Sequence, residues 1–202
     1  LANYLFEYFF VNNRPATFDD GFIREAEKYK NNLKYLCSLL RNRGLTQERN
    51  DVLTLFFKDC EAKPGDHYHE KFTRYNWNKI FTLNIDDLVE NIYRLQGMPC
   101  DVIDAGTLDP GRDDGIRPKL IKLHGNVLHP EKGYIFDNTE YVRFTADQSP
   151  LLRLFGQYFS SNDVIILGTE FQEDDLAVIN ELYNNAGSDL THNYFFIAPQ
   201  IN

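Results

Sequence analysis

Three polar clusters stand directly behind short apolar runs: Asn84-Ile85-Asp86, His124-Gly125-Asn126 and Gly168-Thr169-Glu170. An amide and a carboxylate two residues apart, Asn84 and Asp86, can both face a ligand where a strand turns into a helix. Capping of the next helix by Asp86 or Asp87 is an equally good account of the acids, but Asn84 precedes the caps and is not explained by them. His124 ends an apolar run and is followed by Gly125, which keeps the backbone clear of a ligand. Its imidazole titrates near neutrality and can act as a base on a water or a sugar hydroxyl; a core histidine satisfied by backbone partners is the alternative. Gly168 and Thr169 place a small residue and a hydroxyl where a phosphate or ribose can approach the backbone, a weak signal alone because any parallel strand can end in glycine. His67 and His69 flank a Pro-Gly loop with nothing nearby to complete a metal site, and His129 and His192 read as surface loop residues.

The elements that must position these residues follow from hydrophobic period. Residues 1–10 read as a helix with Leu1, Leu5, Tyr8 and Phe9 on one face, and residues 18–60 as mostly helical, broken near Arg43-Gly44-Leu45-Thr46, with Thr46 as the N-cap of the helix carrying Val52, Leu55 and Phe56. Residues 63–66 are expected as a Pro-Gly loop. From Trp77 the texture changes. Strands are expected at 79–83, 100–104 and 119–123, with a helix over 87–96 stopped by Gly97 and a Gly/Asp-rich loop at 108–117. Residues 134–144 show a looser, strand-like pattern. Ser149-Pro150 predicts a helix start, residues 163–167 a buried strand, Asp174 the cap of a further helix, and residues 194–198 a last strand. Short apolar strands alternating with amphipathic helices predict an α/β, Rossmann-like parallel sheet with helices on both faces. Residues 12–78 are expected as a mostly helical insert and 79–202 as the core. Ligands of such sheets bind at the carboxyl ends of the strands, where all three polar clusters fall.

Composition narrows the classes. The chain has 202 residues, 43% hydrophobic and 14% aromatic, enough for one packed domain. Its formal net charge of -9, with no basic run, disfavours nucleic acid, which requires a basic face; a single nucleotide can still be held by backbone amides and helix ends. Apolar stretches such as Val164-Ile165-Ile166-Leu167 are far too short to cross a bilayer. Cys37, Cys60 and Cys100 are scattered and odd in number, which predicts reduced thiols in a cytoplasmic protein and no metal site. The chain opens inside a helical pattern and closes behind a strand-like run, so it is expected to be a piece of a larger polypeptide.

Taken in order, the clusters resemble the sirtuin superfamily, named for silent information regulator proteins. Thr82-Leu83-Asn84-Ile85-Asp86 is similar to its asparagine–aspartate motif, Leu123-His124-Gly125 to its catalytic histidine motif, and Leu167-Gly168-Thr169 to its second nucleotide-contacting segment. Asp87-Leu88-Val89-Glu90, Thr139-Glu140-Tyr141 and Asp174-Asp175-Leu176 resemble one branch in particular, the sirtuin-like domains of bacterial antiphage defence proteins, which hydrolyse NAD. The resemblance runs from Leu1 to about Pro199. It implies an NAD glycohydrolase with NAD as substrate, in which Asn84 positions the ribose and the attacking water and His124 is the base. Asp86 would hold the nicotinamide carboxamide, Gly168 and Thr169 would contact the adenosine side, and Thr82 and Gly125 would complete the NAD-binding set. It also implies toxicity by NAD depletion, a homo-oligomer, other domains of the same chain and a phage protein as trigger. The departures carry weight too. No cysteine follows Cys100, so the four-cysteine zinc module of deacylating sirtuins has no counterpart, which disfavours a deacylase and predicts no zinc. Leu83 replaces a glutamine, and Glu170 a serine. The strand and Gly-Ala-Gly loop with which family members open would precede Leu1, so an N-terminally truncated domain is expected. An NAD-dependent deacylase, an ADP-ribosyltransferase and a non-catalytic nucleotide-binding domain are the alternatives.

Overall fold

A computed structural model describes residues 1–62, 71–107, 117–146, 149–168 and 192–197. His67, His69, Thr169, Glu170, the helix expected behind Asp174 and most of the 108–117 loop lie outside the described residues.

The first part of the chain is helical. Helix α1 (Ala2–Phe6) runs into a π-helical turn (Glu7–Asn12), followed by α2 (Asp20–Lys28), α3 (Leu33–Asn42) and α4 (Thr46–Phe57). Two short polar side chains start the middle pair: Asp19 accepts from the Phe22 amide at 2.9 Å and Asn32 from the Tyr35 amide at 2.9 Å, each satisfying an amide that has no partner inside its helix. The arginine beside Asp19 and the Phe22 amide together hold its carboxyl below the usual carboxylate range, the amide contributing most. Thr46 is not the cap expected of it. Gly44, at φ 75°, turns the chain so tightly that Leu45 occupies the cap position and Thr46 is already the first helical residue. The buried faces form an aromatic-rich core of Leu5, Phe9, Phe10, Phe18, Phe22, Leu36, Leu40 and Leu53, and this core includes Ile85 and Tyr134 from farther along the chain.

Strands β1 (Lys79–Thr82), β2 (Asp101–Ile103) and β3 (Lys119–Lys122) make a parallel sheet in the order β1-β3-β2. Thr82 is in register with Lys122, and Ile103 with Ile121. The central strand β3 is buried at every position, as a strand hydrogen-bonded on both edges and covered on both faces must be. Helix α5 (Leu88–Leu95) follows β1 and ends at Gly97, whose φ of 70° supplies the left-handed turn that closes it. Each of these elements was legible to within two residues.

Residues 134–144 are a correction. The expected strand-like segment is helix α6 (Asn138–Ala146). Asp137 Oδ1 accepts from the amides of Thr139 at 2.7 Å and Glu140 at 3.0 Å. Glu140 Oε2 reaches back to the amides of Phe136 at 2.9 Å and Asp137 at 3.0 Å. This reciprocal cap outweighs the β-prone composition of Tyr141-Val142-Arg143-Phe144.

Residues 1–144 form one compact unit and 145–202 a second. In the second, α7 (Pro150–Ser161) begins with proline in its first turn, as expected. Strands β4 (Val164–Leu167) and β5 (Tyr194–Ile197) pair in parallel, with Val164 opposite Tyr194 and Leu167 opposite Ile197. β4 is not fully buried: Ile165 and Leu167 are 45% and 48% exposed. Alternate side chains of a strand face opposite ways, and the α7 side of this pair is the covered one, where the Phe159 and Tyr194 rings lie 4.7 Å apart and the Tyr194 hydroxyl donates to the Phe159 carbonyl at 2.8 Å. The helices around small parallel sheets make this an α/β, Rossmann-like fold.

Candidate functional site

Adjacent parallel strands bring two of the sequence clusters to the same edge. Thr82 and Lys122 are register partners, so Asn84 and His124, each two residues farther on, leave β1 and β3 side by side. The exits stay stitched beyond the strands: the Leu123 amide donates to the Thr82 carbonyl and the Val127 amide to the Ile85 carbonyl, both at 2.9 Å. Asn84 is exposed, and its amide donates to Thr82 Oγ1 at 3.1 Å. Thr82 therefore shapes the turn whatever else its hydroxyl meets.

His124 is half-buried, with its carbonyl accepting from the Ile135 amide at 3.0 Å. Tyr141 and Phe144 of α6 meet the imidazole edge to face, with ring centroids at 6.0 and 5.8 Å. Lys34 Nζ lies 5.1 Å from the Tyr141 ring centre. Gly125 has φ 110°, and a Cβ there would lie 2.6 Å from the Gly133 carbonyl oxygen and 2.8 Å from Tyr134 Cδ1. Close backbone packing alone thus demands glycine behind the histidine.

Asp86 takes the capping role weighed for it, with Oδ1 accepting from the Leu88 amide at 3.1 Å. Asp87 does not cap its own helix. Its carboxylate accepts from the amides of Asp59 and Cys60, at 2.9 and 2.8 Å, and so ties the end of α4 to the Asn84–Asp87 turn. Asn126 is buried: Nδ2 donates to Asp104 Oδ2 at 3.0 Å and Oδ1 accepts from the Leu128 amide at 3.0 Å. Gly168 ends β4 in the second unit with φ 72°, and a Cβ there would meet no atom of the described residues within 4 Å. Its neighbour Thr169 lies outside the described residues. His129 is exposed, as expected, and His192 is half-buried beside Asp163.

Several supporting residues escaped the sequence reading. Lys122, with its side chain 1% exposed, sends Nζ across to the carbonyls of Ile85, at 3.3 Å, and Asp86, and pairs with Glu90 Oε1 at 2.8 Å. One ammonium therefore joins the strand that carries His124 to the turn that carries Asn84. Burial pushes the Glu90 carboxyl up, against the lowering effect of Lys122. Asp104, at the end of β2, accepts from the Gly106 amide at 2.9 Å as well as from Asn126; an aspartate behind a strand with glycine two residues on was its available signal. Lys122 gave none, because a lysine within an apolar run reads as a strand-face charge. Burial pushes the Cys37 thiol up to about 12 and the Cys100 thiol up to about 11, and raises Cys60 as well, so these thiols are protonated at neutral pH and are poor nucleophiles. Among the described residues there is no group of three or more His, Cys, Asp or Glu side chains placed to hold a metal ion, and no helix long and apolar enough to cross a membrane.

A strand-end amide beside a strand-end imidazole, on a parallel sheet, can hold a sugar and a water and accept a proton. A search of curated proteins found no match to the chain. The SIR2-like domain family matches residues 78–201, which include the five described strands and both the Asn84 and His124 segments. SIR2-like domains bind NAD and use it in catalysis. With well over half of its length matched, this chain belongs to the SIR2-like domain family.

Proposed function

We propose that the chain is an NAD glycohydrolase that cleaves NAD to nicotinamide and ADP-ribose. The observation that carries the reading is the pairing of Asn84 and His124 at neighbouring exits of β1 and β3, two residues beyond the Thr82–Lys122 register pair. In the reaction the bond from ribose C1′ to the nicotinamide nitrogen breaks, and its electron pair leaves with the ring, which becomes neutral. Water adds its oxygen to C1′ and gives up a proton. The leaving group is cationic in the substrate, so it requires no general acid, unlike the leaving groups of most glycosidases. The protein must orient the ribose, stabilise developing positive charge and direct the water. Asn84 supplies an amide to hold the ribose and the water, and His124 a base to take the proton. Asp86 faces the nicotinamide carboxamide, with Thr82 and Gly125 at the same strand ends.

The antiphage setting, an effector that depletes NAD as part of a homo-oligomer triggered by a phage protein, belongs to the same proposal and rests on the resemblance of the branch-specific residues. Three of those are structural: Asp87 holds the end of α4, Glu90 pairs with Lys122, and Glu140 caps α6. They mark a shared scaffold rather than a shared trigger.

The test is incubation of the full-length protein with NAD, following nicotinamide and ADP-ribose by chromatography. Both products are expected together, and His124→Ala or Asn84→Ala is expected to lower turnover at least about a hundredfold, as loss of a base does. Wild-type turnover in either variant removes that residue from the chemistry. Transfer of ADP-ribose to protein, or release of nicotinamide only when an acyl-lysine peptide is present, would replace hydrolysis with the transferase or deacylase alternative.

A further inference from the structure

The aromatic rings against His124 lie beside a charge network centred on Arg49, a residue that neither the motifs nor the chemistry above uses. Arg49 of α4 is completely buried, a costly place for a guanidinium unless it is paired. Its Nη2 reaches Glu140 Oε1 at 2.6 Å, its Nη1 reaches Glu140 Oε2 at 3.3 Å and Asp137 Oδ2 at 3.5 Å, and Nε and Nη2 both donate to Asn50 Oδ1, at 3.1 and 2.8 Å. Arg41 of α3 completes the set, with Nε on Asp137 Oδ2 and Nη2 on Thr139 Oγ1, both at 2.6 Å. Two guanidinium groups thus face two carboxylates, and the charges balance.

Those carboxylates are the ones that cap α6. Asp137 and Glu140 together take four amide hydrogens at its start. Tyr141 follows Glu140 directly and Phe144 lies one turn on, and these two rings bracket the His124 imidazole. A buried ion network of this kind adds little net stability over apolar packing, and its best-attested use is to specify one arrangement.

We propose that Arg49 is a positioning residue for His124: by gripping Asp137 and Glu140 it sets where α6 presses Tyr141 and Phe144 against the imidazole. The inference deepens the NAD glycohydrolase reading and rests on it for its kinetic consequence, though not for its structural one. Lysine cannot replace the guanidinium, because one ammonium cannot span Glu140, Asp137 and Asn50 at once.

The experiment compares Arg49→Met, Arg49→Lys and Arg49→Met/Glu140→Gln with the wild type. The double variant removes the carboxylate that Arg49→Met strands in the interior, and glutamine keeps an oxygen for the Phe136 and Asp137 amides, so the protein folds while the grip is lost. The His124 ring-proton resonance, assigned with His124→Ala and shifted by the flanking ring currents, is read by NMR with NAD kinetics alongside. The double variant is expected to be folded with a displaced His124 resonance, and with kcat lowered about tenfold or more while KM stays within about twofold; Arg49→Lys is expected in between. Leu5→Ala, which weakens the helical core from α1, a helix that carries no member of the network, is expected to leave the resonance in place. A folded double variant with the wild-type resonance overturns the proposal, as does a Leu5→Ala variant that displaces it equally. If the full-length wild type does not hydrolyse NAD in its triggered state, the functional reading fails, and the resonance alone decides the role of Arg49.

Discussion

Two glycines that the sequence presents alike, one behind a histidine and one at the end of an apolar strand, have different physical reasons to be glycine. Both have positive φ, but a Cβ on Gly125 would enter the Gly133 carbonyl and the Tyr134 ring, whereas at Gly168 it would meet no atom of the described residues within 4 Å. Gly168→Ala is therefore expected to cost only the left-handed backbone strain, about 1 kcal/mol. Gly125→Ala adds a clash with backbone that cannot rotate away, and is expected to cost about 3 kcal/mol or more. Urea denaturation of the two variants measures this difference directly, and equal losses would mean that the loop around Gly133 gives way. At this scale the sequence reveals which residues stand at strand ends but not why each is there. Asp86, singled out as a ligand-facing acid, also caps the Leu88 amide, and Asn126, in the histidine cluster, is buried against Asp104.

Among the elements, the parallel strands and α5 were legible because alternation and apolar runs report burial directly. Helix α6 was not, because its starting signal consists of two acids whose value depends on Arg41 and Arg49, some 90 or more residues earlier in the chain. The tie between β3 and the Asn84 turn is of the same kind: Lys122 is recognisable as a buried cross-link only once Glu90 and the Ile85 and Asp86 carbonyls are seen around it. Its removal has a predictable pH signature. Burial already raises the Glu90 pKa, and Lys122 opposes that rise. In Lys122→Met the opposition is gone, so the folded-state pKa climbs further above the unfolded one. A carboxyl raised in this way contributes stability that is fully present below the ordinary carboxylate pKa and lost as pH rises through the raised value. Lys122→Met is therefore expected to be about 3–5 kcal/mol less stable than wild type at neutral pH, as when one partner of a buried pair is removed, with the deficit shrinking as the solution is acidified. Denaturation midpoints across pH test this, and adding Glu90→Gln is expected to flatten the dependence. A deficit that is constant with pH would show that Glu90 stays ionised without its partner.

For the molecule as a whole, the family boundary and the physical boundary do not coincide. The family match begins at residue 78, yet groups within the matched part depend on the helices ahead of it. Ile85 and Tyr134 belong to the core built by α1 to α4. The buried Asp87 carboxylate takes its two amide hydrogens from Asp59 and Cys60. Asp137, with no exposure at all, is paired with Arg41 and Arg49, and the Tyr134 hydroxyl shares a hydrogen bond with Thr54 at 2.6 Å. A fragment spanning residues 78–202 alone would expose the apolar side of this core and leave two aspartates without the partners that make their burial tolerable. It is expected to lose cooperative packing while keeping local helix, since the Asp86 bond at the start of α5, the proline start of α7 and the periodic patterns of both are intact. Far-UV circular dichroism is then expected to report helix with no sharp thermal transition, accompanied by binding of an apolar dye that residues 1–202 do not bind. A fragment that melts cooperatively near the midpoint of the 202-residue chain would mean that the helices are an appendage. The dependence of Asn84 and His124 on α4, through Asp87 at its end and Arg49 near its start, would then be dispensable for folding, leaving positioning of the site as its remaining role.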